Sequence, residues 1–343
     1  MKRNYYELLP YVFKRFSLLR TLRTGAPTMM HWATRKPLPK SDKPALFTMN
    51  IMPPMMTVWY HFVQKNLGDK VDLTIFDCSG TLKKKDFPNA RVQKYINVYA
   101  ATKSDEFLYH IATNRKIGWV CDDDMFILSD KCLDTIDNAF KDPNTASLSF
   151  RPRSWWHFDI DGKEYEPSSS YSIVVNREIY CDKEKLCLSP ANGNNHAVSH
   201  IGKEVKRYDT FDQANEKLIR KGYNCVIVPE SERDQLVTGF SGVSSAVMLL
   251  WYFRSSKQMM DYLEGPADDA WRGNTLFTVL SGLRAISYMQ QMHEEITGKP
   301  YRLRAMPSWD ALERLREQKA PLIRNEHSFE KVDEVAAILK NNL

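Results

Sequence analysis

The sequence predicts an α/β domain, a central sheet flanked by helices, followed by a mainly helical C-terminal region. Two observations carry this. Between residues 44 and 230 short apolar runs of strand length alternate with segments whose apolar residues recur at helical spacing, the rhythm of βαβ units. Beyond residue 240 only the helical spacing persists. The length of 343 residues suits one such domain with a sizeable appendage, and 43% hydrophobic against 26% charged residues supplies a core and excludes wholesale disorder.

The elements follow in order. Residues 1–25 mix Tyr5, Leu8, Leu9, Val12, Phe13, Phe16 and Leu19 with basic residues, which predicts a basic amphipathic helix. Such a helix either packs on its own domain, the expected case, or lies on an anionic membrane. Residues 36–44 (KPLPKSDKP) combine proline with charge and read as a linker, so the fold proper begins at Pro44. Strands are expected at 45–49, 71–76, 95–99, 117–121, 147–150, 171–175 and 224–228. Helices are expected at 55–66, 105–115 and 212–221, the last stopped by Gly222 at a C-terminal cap. Later helices fall near 244–263, 274–297, 308–317 and 328–341. The division is then a helix and linker at 1–43, a catalytic domain at 44–240 and a helical region at 241–343.

Several classes drop out. The six cysteines contain no CxxC pair, so neither a zinc site nor a disulfide framework is indicated, and a reducing, cytoplasmic setting is expected. The longest apolar run, 246–253, is far short of the ~20 residues a membrane-spanning helix needs. Lys14, Arg15, Arg20 and Arg23 interrupt any secretory core, so the mature chain is expected to start at Met1. A net charge of +6 is compatible with phosphate-rich ligands without identifying one.

Chemistry concentrates at IGWVCDDDMFIL, where Asp122, Asp123 and Asp124 follow a strand directly. The carboxyl end of a strand is where open α/β sheets place ligands. Three carboxylates beside a core are costly unless a cation neutralises them, and hard oxygen donors suit Mg²⁺ or Mn²⁺, which bridges to phosphate. The competing reading is a solvated acidic turn or a helix N-terminus that gains from negative charge.

Four motifs in this order, ALFTMN, VDLTIFDCSG, the triple Asp and YDTFDQANEKLIRKGYNCVIVPE, resemble the family-two-like glycosyltransferases of GT-A fold, over residues 44–230. The resemblance implies a Rossmann-like mixed sheet and transfer of a sugar from a nucleotide diphosphate donor, a uridine diphosphate sugar, to a hydroxyl acceptor. It implies a DxD metal site at Asp122 and Asp124, with Asp122 and Asp123 on the donor. Thr48, Asn50 and Asp77 become contacts to base or ribose. In inverting members an acidic residue before the helix deprotonates the acceptor; here Asp209 and Asp212 compete for that place, with Asp209 favoured and Asp212 as a helix cap. Tyr208-Asp209 replaces the usual Glu-Asp pair, and the absence of QxxRW argues against a processive synthase.

Other residues have both bland and functional readings. His196 and His200 offer further metal ligands but sit in a loop-like segment. Trp155 and Trp156 offer faces for an acceptor sugar, or ordinary core. Arg151, Arg153, Trp271 and Arg272 offer phosphate contacts, or surface ion pairs. Nucleotidyl transfer is disfavoured because no Gly-rich loop follows ALFTMN. The acceptor stays open among a glycan, a lipid-linked hydroxyl and, less favoured, a modified base in nucleic acid. A non-catalytic protein binding membrane or nucleic acid is the remaining alternative.

Overall fold

The computed structural model describes residues 21–96, 100–154, 156–189, 191–193, 197–199, 208–264, 276–319 and 329–343. A π-helical turn at Thr21–Gly25 runs into α1 (Ala26–Thr34). The strands are β1 (Ala45–Asn50), β2 (Asp72–Asp77), β3 (Ala90–Lys94), β4 (Ile117–Cys121), β5 (Met125–Ile127), β6 (Thr145–Ser149), β7 (Trp156–Ile160), β8 (Lys163–Tyr165), β9 (Ser172–Asn176), β10 (Ala197–Ser199), β11 (Asn224–Ile227) and β12 (Val237–Gly239). Between them lie α2 (Pro53–Asn66), α3 (Ala100–Ile111), α4 (Lys131–Ala139), α5 (Asp212–Arg220) and α6 (Glu230–Leu236). The C-terminal region supplies α7 (Val243–Tyr252), α8 (Ser256–Glu264), α9 (Leu276–Thr297), α10 (Trp309–Lys319) and α11 (Phe329–Asn341).

Seven strands form the central sheet in the order β11-β6-β9-β4-β1-β2-β3. It is mixed: β4, β1, β2 and β3 run parallel, and β9 runs antiparallel between β4 and β6. Smaller sheets join β10-β7-β8 and β12-β5. A mixed central sheet flanked by helices, with a helical C-terminal region, is the architecture that the resemblance implies.

β1 is buried at all six positions, which is why ALFTMN reads as a continuous run rather than an alternation. Leu46 faces the layer of α2 and α9, where Trp59, Phe62, Ile286 and Met289 are buried in one core. Phe47 faces α3 and stacks on Phe107 at 5.1 Å. The C-terminal helices therefore extend the same apolar core that α2 begins. Arg284 ties them together: its guanidinium meets both Asp333 oxygens at 2.6 and 2.7 Å, pairs with Glu313 and lies 4.2 Å from the Trp309 ring centroid.

Three expectations need correction. The third strand is ARVQK, ahead of the expected 95–99, of which residues 97–99 lie outside the described residues; as an edge strand it is buried at Ala90 alone, so its polar sequence hides it. The helix expected over 244–263 is two helices, because Ser255 Oγ accepts the Gln258 N–H at 3.3 Å and starts α8 afresh. Of the helix expected over 1–25, residues 1–20 lie outside the described residues; the described part does not stop at residue 25 but continues through α1 to Thr34 and packs on its own domain.

Candidate active site at the sheet switch point

Strand order reverses at β1: β2 and β3 lie on one side and β4 on the other, so the connections leaving β1 and β4 diverge. Open α/β sheets hold ligands at such a point, beyond the carboxyl ends of the strands. The β1–β4 ladder runs from Ala45–Gly118 to Phe47–Val120. Beyond it, Asn50 ends β1 and Asp122 to Asp124 follow β4, and the two segments are tied by Asn50 Nδ2 donating to Asp123 Oδ2 at 2.9 Å.

The acidic run is a tight turn, not a helix start. Met125 N–H donates to Asp122 O at 3.1 Å, and the chain re-enters β5 at once. Asp122, Asp123 and Asp124 are all partly exposed. Backbone contacts fix the turn from outside: Asp122 N–H donates to Tyr171 O at 2.8 Å, and Phe240 N–H to Asp124 O at 3.0 Å. Of the two alternatives to a ligand site, the helix-terminus reading therefore fails.

Asn50 is fully buried, and its amide also donates to Met52 O at 2.9 Å. Its Oδ1 and the Thr48 hydroxyl are buried without a hydrogen-bond partner among the described residues. Asp77 ends β2 opposite Asn50. It has no exposed surface, and its oxygens accept from the Ser79 hydroxyl, Gly80 N–H at 2.9 Å and Leu82 N–H at 3.0 Å. Asp77 thus shapes the loop after β2 rather than presenting a free carboxylate.

A second cluster lies before α5. Arg153 is buried, with Nε on Asp212 Oδ1 at 2.9 Å, Nη1 on Asp209 Oδ2 at 3.2 Å and Nη2 on Thr210 O at 3.4 Å. Burial works against its charge, but Asp212 and Asp209 outweigh that and raise its pKa. Burial also pushes the Asp212 carboxyl up to about 7, against the pull of Arg153. Asp212 has no exposed surface, whereas the Asp209 side chain is 49% exposed. Phe211 between them holds φ at +73°, a costly conformation for a bulky residue that the buried ring and the Arg153 network keep in place.

Asp212 is therefore not a cap on α5, since its Oδ2 accepts Asp209 N–H at 2.7 Å and its Oδ1 holds Arg153. Nor is Arg153 a surface ion pair or free for phosphate. Trp156 is core: it is buried against Phe158 at 5.1 Å and Tyr208 at 5.3 Å. Trp155, His196, His200, Trp271 and Arg272 lie outside the described residues.

Tyr171 was not singled out by the sequence, yet it joins the two clusters. Burial raises its phenol pKa, Arg153 lowers it, and Asp124 and Asp122 raise it, so the ring is in electrostatic reach of both. Arg151 stands 6.0 Å from the Tyr171 ring centroid and reaches Met125 Sδ at 3.6 Å. A cleft of about 160 Å³ opens beside it, lined by Met125, Arg151, Arg233, Thr238 and Lys331 among others. A larger cleft of about 620 Å³ lies at the other end of β4, lined by Lys116 and Ile117, away from the acidic run.

The donor set suits a hard divalent cation shared with a ligand. Such ions commonly take one or two protein carboxylates and complete their shell with phosphate and water. Three adjacent, partly exposed carboxylates beside a buried amide meet that description without forming a closed cage. Among the described residues, ligand-type atoms of three side chains come within 4.8 Å only at His31, Glu106 and His110. That trio sits where α1 docks on α3, and Arg35 already pairs with the same carboxylate.

No protein-family model matches the sequence, and no curated protein matches it. Among solved structures, a mannosyltransferase from Pyrobaculum calidifontis in complex with GDP-Man and Mn²⁺ is similar at 13% identity and a TM-score of 0.39, over 96% of this chain and 97% of that one. S. aureus TarS 1–349 is similar at 10% identity and a TM-score of 0.33, over 87% and 90%. A 4-diphosphocytidyl-2C-methyl-D-erythritol synthase from Anaerococcus prevotii is similar at 12% identity and 0.34, over 54% and 88%. Function is therefore read from the side chains at the strand ends.

Proposed function

We propose that the chain is a metal-dependent glycosyltransferase that moves a sugar from a nucleoside diphosphate donor to a hydroxyl acceptor. The observation that supports it most directly is the Asn50–Asp123 link beside three carboxylates at the switch point. Asp122 and Asp124 would hold Mn²⁺ or Mg²⁺ with the donor diphosphate, and Asp123, oriented by Asn50, would face the donor. When bound, the cation supplies positive charge that stabilises the departing diphosphate.

The chain's own groups account for the rest. Thr48 and Asn50 would contact the nucleoside, since each keeps a buried acceptor without a partner among the described residues, and Asp77, which shapes the next loop, pairs with Asn50 across the strands. Asp209, the exposed member of its pair, would take the acceptor hydroxyl proton as that oxygen bonds to the anomeric carbon and the bond to the diphosphate oxygen breaks. Attack opposite the leaving group inverts the anomeric centre. Arg153 holds Asp209 in place, and Asp212 holds Arg153.

The test is a thermal-shift screen of nucleotide sugars, uridine diphosphate sugars first, with and without Mn²⁺. Ligand at ~100 times its Kd stabilises the native state by about 2.7 kcal/mol, an easily read shift. A shift with one donor that requires the metal supports the reading. No shift with any donor in either condition would remove it.

A further inference from the structure

The turn at Thr21–Gly25 and helix α1 together present their sides in reverse. Toward the protein it is polar: Thr24 and Thr28 are buried, and His31 is 10% exposed. The Thr28 hydroxyl donates to Thr24 O and accepts Ile96 N–H, both at 2.7 Å, while His31 Nε2 meets Glu106 Oε1 at 2.7 Å. Away from the protein stand Leu22, Met29 and Met30, at 79%, 64% and 70% exposure, with Trp32 at their edge. Exposed Ala26 and Ala33 lie on the same side. Among the described residues the one other large exposed hydrophobic is Val198. A surface helix ordinarily buries its apolar stripe and wets its polar face. Here the polar face is used for docking, and among the described residues the apolar stripe stays exposed.

Charge identifies the partner. The first forty residues hold nine basic residues against one acidic, Glu7, so they carry more positive charge than the +6 of the whole chain, and the remainder is slightly acidic. Arg23 and Lys36, at the two ends of the stripe in sequence, are exposed. An apolar stripe with a tryptophan at its margin and basic residues about it is complementary to an anionic bilayer interface, where each signal alone binds weakly and the two add. We propose that the outer face of α1 seats the protein on anionic lipid. This does not rest on the sugar-transfer reading and goes beyond it.

The experiment uses the full chain and vesicles of phosphatidylcholine with and without phosphatidylglycerol, read by co-sedimentation. The native protein should sediment with the anionic vesicles, and less so as salt rises. The variant Leu22→Gln/Met29→Gln/Met30→Gln should lose about tenfold or more of the bound fraction, because it removes apolar insertion while keeping every charge. Its thermal midpoint should match the native protein, since all three side chains point outward. Native protein left in the supernatant, or equal sedimentation of the variant, overturns the proposal. So does a dimer in light scattering that the variant abolishes, with no vesicle binding, which would assign the stripe to a second copy. Donor-induced thermal shifts without lipid report on sugar transfer separately.

Discussion

Asn50 and Asp123 meet across the gap where β1 and β4 part, amide nitrogen to carboxylate oxygen at 2.9 Å. Asn50 is anchored from behind by Met52 O, so the contact sets where Asp123 points. A residue that orients a metal- or ligand-binding carboxylate typically contributes 10- to 100-fold to affinity or activity, roughly. Asn50→Asp should therefore lose both the hydrogen bond and the charge balance. The expected result is at least a ~10-fold weaker Mn²⁺-dependent donor shift. An unchanged titration would sever Asn50 from the site.

Asp122→Ala and Asp124→Ala test the carboxylates themselves. Both residues are partly exposed on a turn held by backbone bonds to Tyr171 and Phe240, so the fold should survive each change. Transfer should fall by about 100-fold or more in each, the scale of removing one group that stabilises charge in the transition state. Full turnover in both, measured at saturating Mn²⁺, would dismiss the acidic run as a solvated turn.

Asp209 and Asp212 separate by consequence. Asp209→Asn removes the proposed base, which is exposed, so turnover should drop about 10²- to 10⁴-fold with little change in stability. Asp212→Asn leaves the buried Arg153 without its best partner, and breaking such a pair costs roughly 3–5 kcal/mol. Urea unfolding together with kcat distinguishes the two; a stable Asp212→Asn with low kcat would exchange their roles.

The sheet was legible because buried strands such as ALFTMN and IGWVC are apolar throughout and the acidic run interrupts one of them abruptly. β3 escaped notice because an edge strand buries little, and the break between α7 and α8 rests on one serine cap that a continuous apolar pattern conceals. Arg153 and Tyr171 could not be assigned from the sequence. Their roles come from contacts across 59 residues to Asp212 and about the acidic turn, and no local spacing encodes those. Asp77 was found as a strand-end acid, but only the folded loop shows its oxygens already engaged.

Acid should loosen α1. Burial on its own raises the Glu106 carboxyl, but hydrogen bonds from His110 and His31 and the charge of Arg35 outweigh it and hold the pKa far below the ordinary 4.5. The folded state thus binds this proton less readily than the unfolded one. Its contribution is complete above about pH 4.5 and fades as pH falls toward the depressed folded value. The Ile96 amide, which donates to Thr28 Oγ1, reports docking directly. Its protection against hydrogen exchange, corrected for intrinsic rate, should decline below about pH 4.5 and be low at every pH in Glu106→Gln. Protection that stays flat in the native protein down to about pH 3 would show that this carboxylate does not hold α1.

Gly239 offers a test of the acidic turn that touches no charged side chain. It ends β12, paired with Met125 of β5, and Phe240 N–H holds Asp124 O. A Cβ at Gly239 would lie 2.4 Å from Met125 Sδ and 2.6 Å from Asp124 O. The sulfur can swing aside, but the carbonyl is part of the turn and moves only with Asp124 itself. Gly239→Ala should therefore cost about 1–3 kcal/mol, as overpacking does, and displace a carboxylate of the proposed metal site. A misplacement of about 1 Å costs on the order of 100-fold in rate, so kcat should fall well beyond what the stability change explains. Gly162→Ala is the control, since its positive φ makes alanine strained but no atom lies within 4 Å of the added carbon. Comparable loss of kcat in both variants, at matched folded fraction, would mean that strain anywhere suffices and that β12 does not position Asp124.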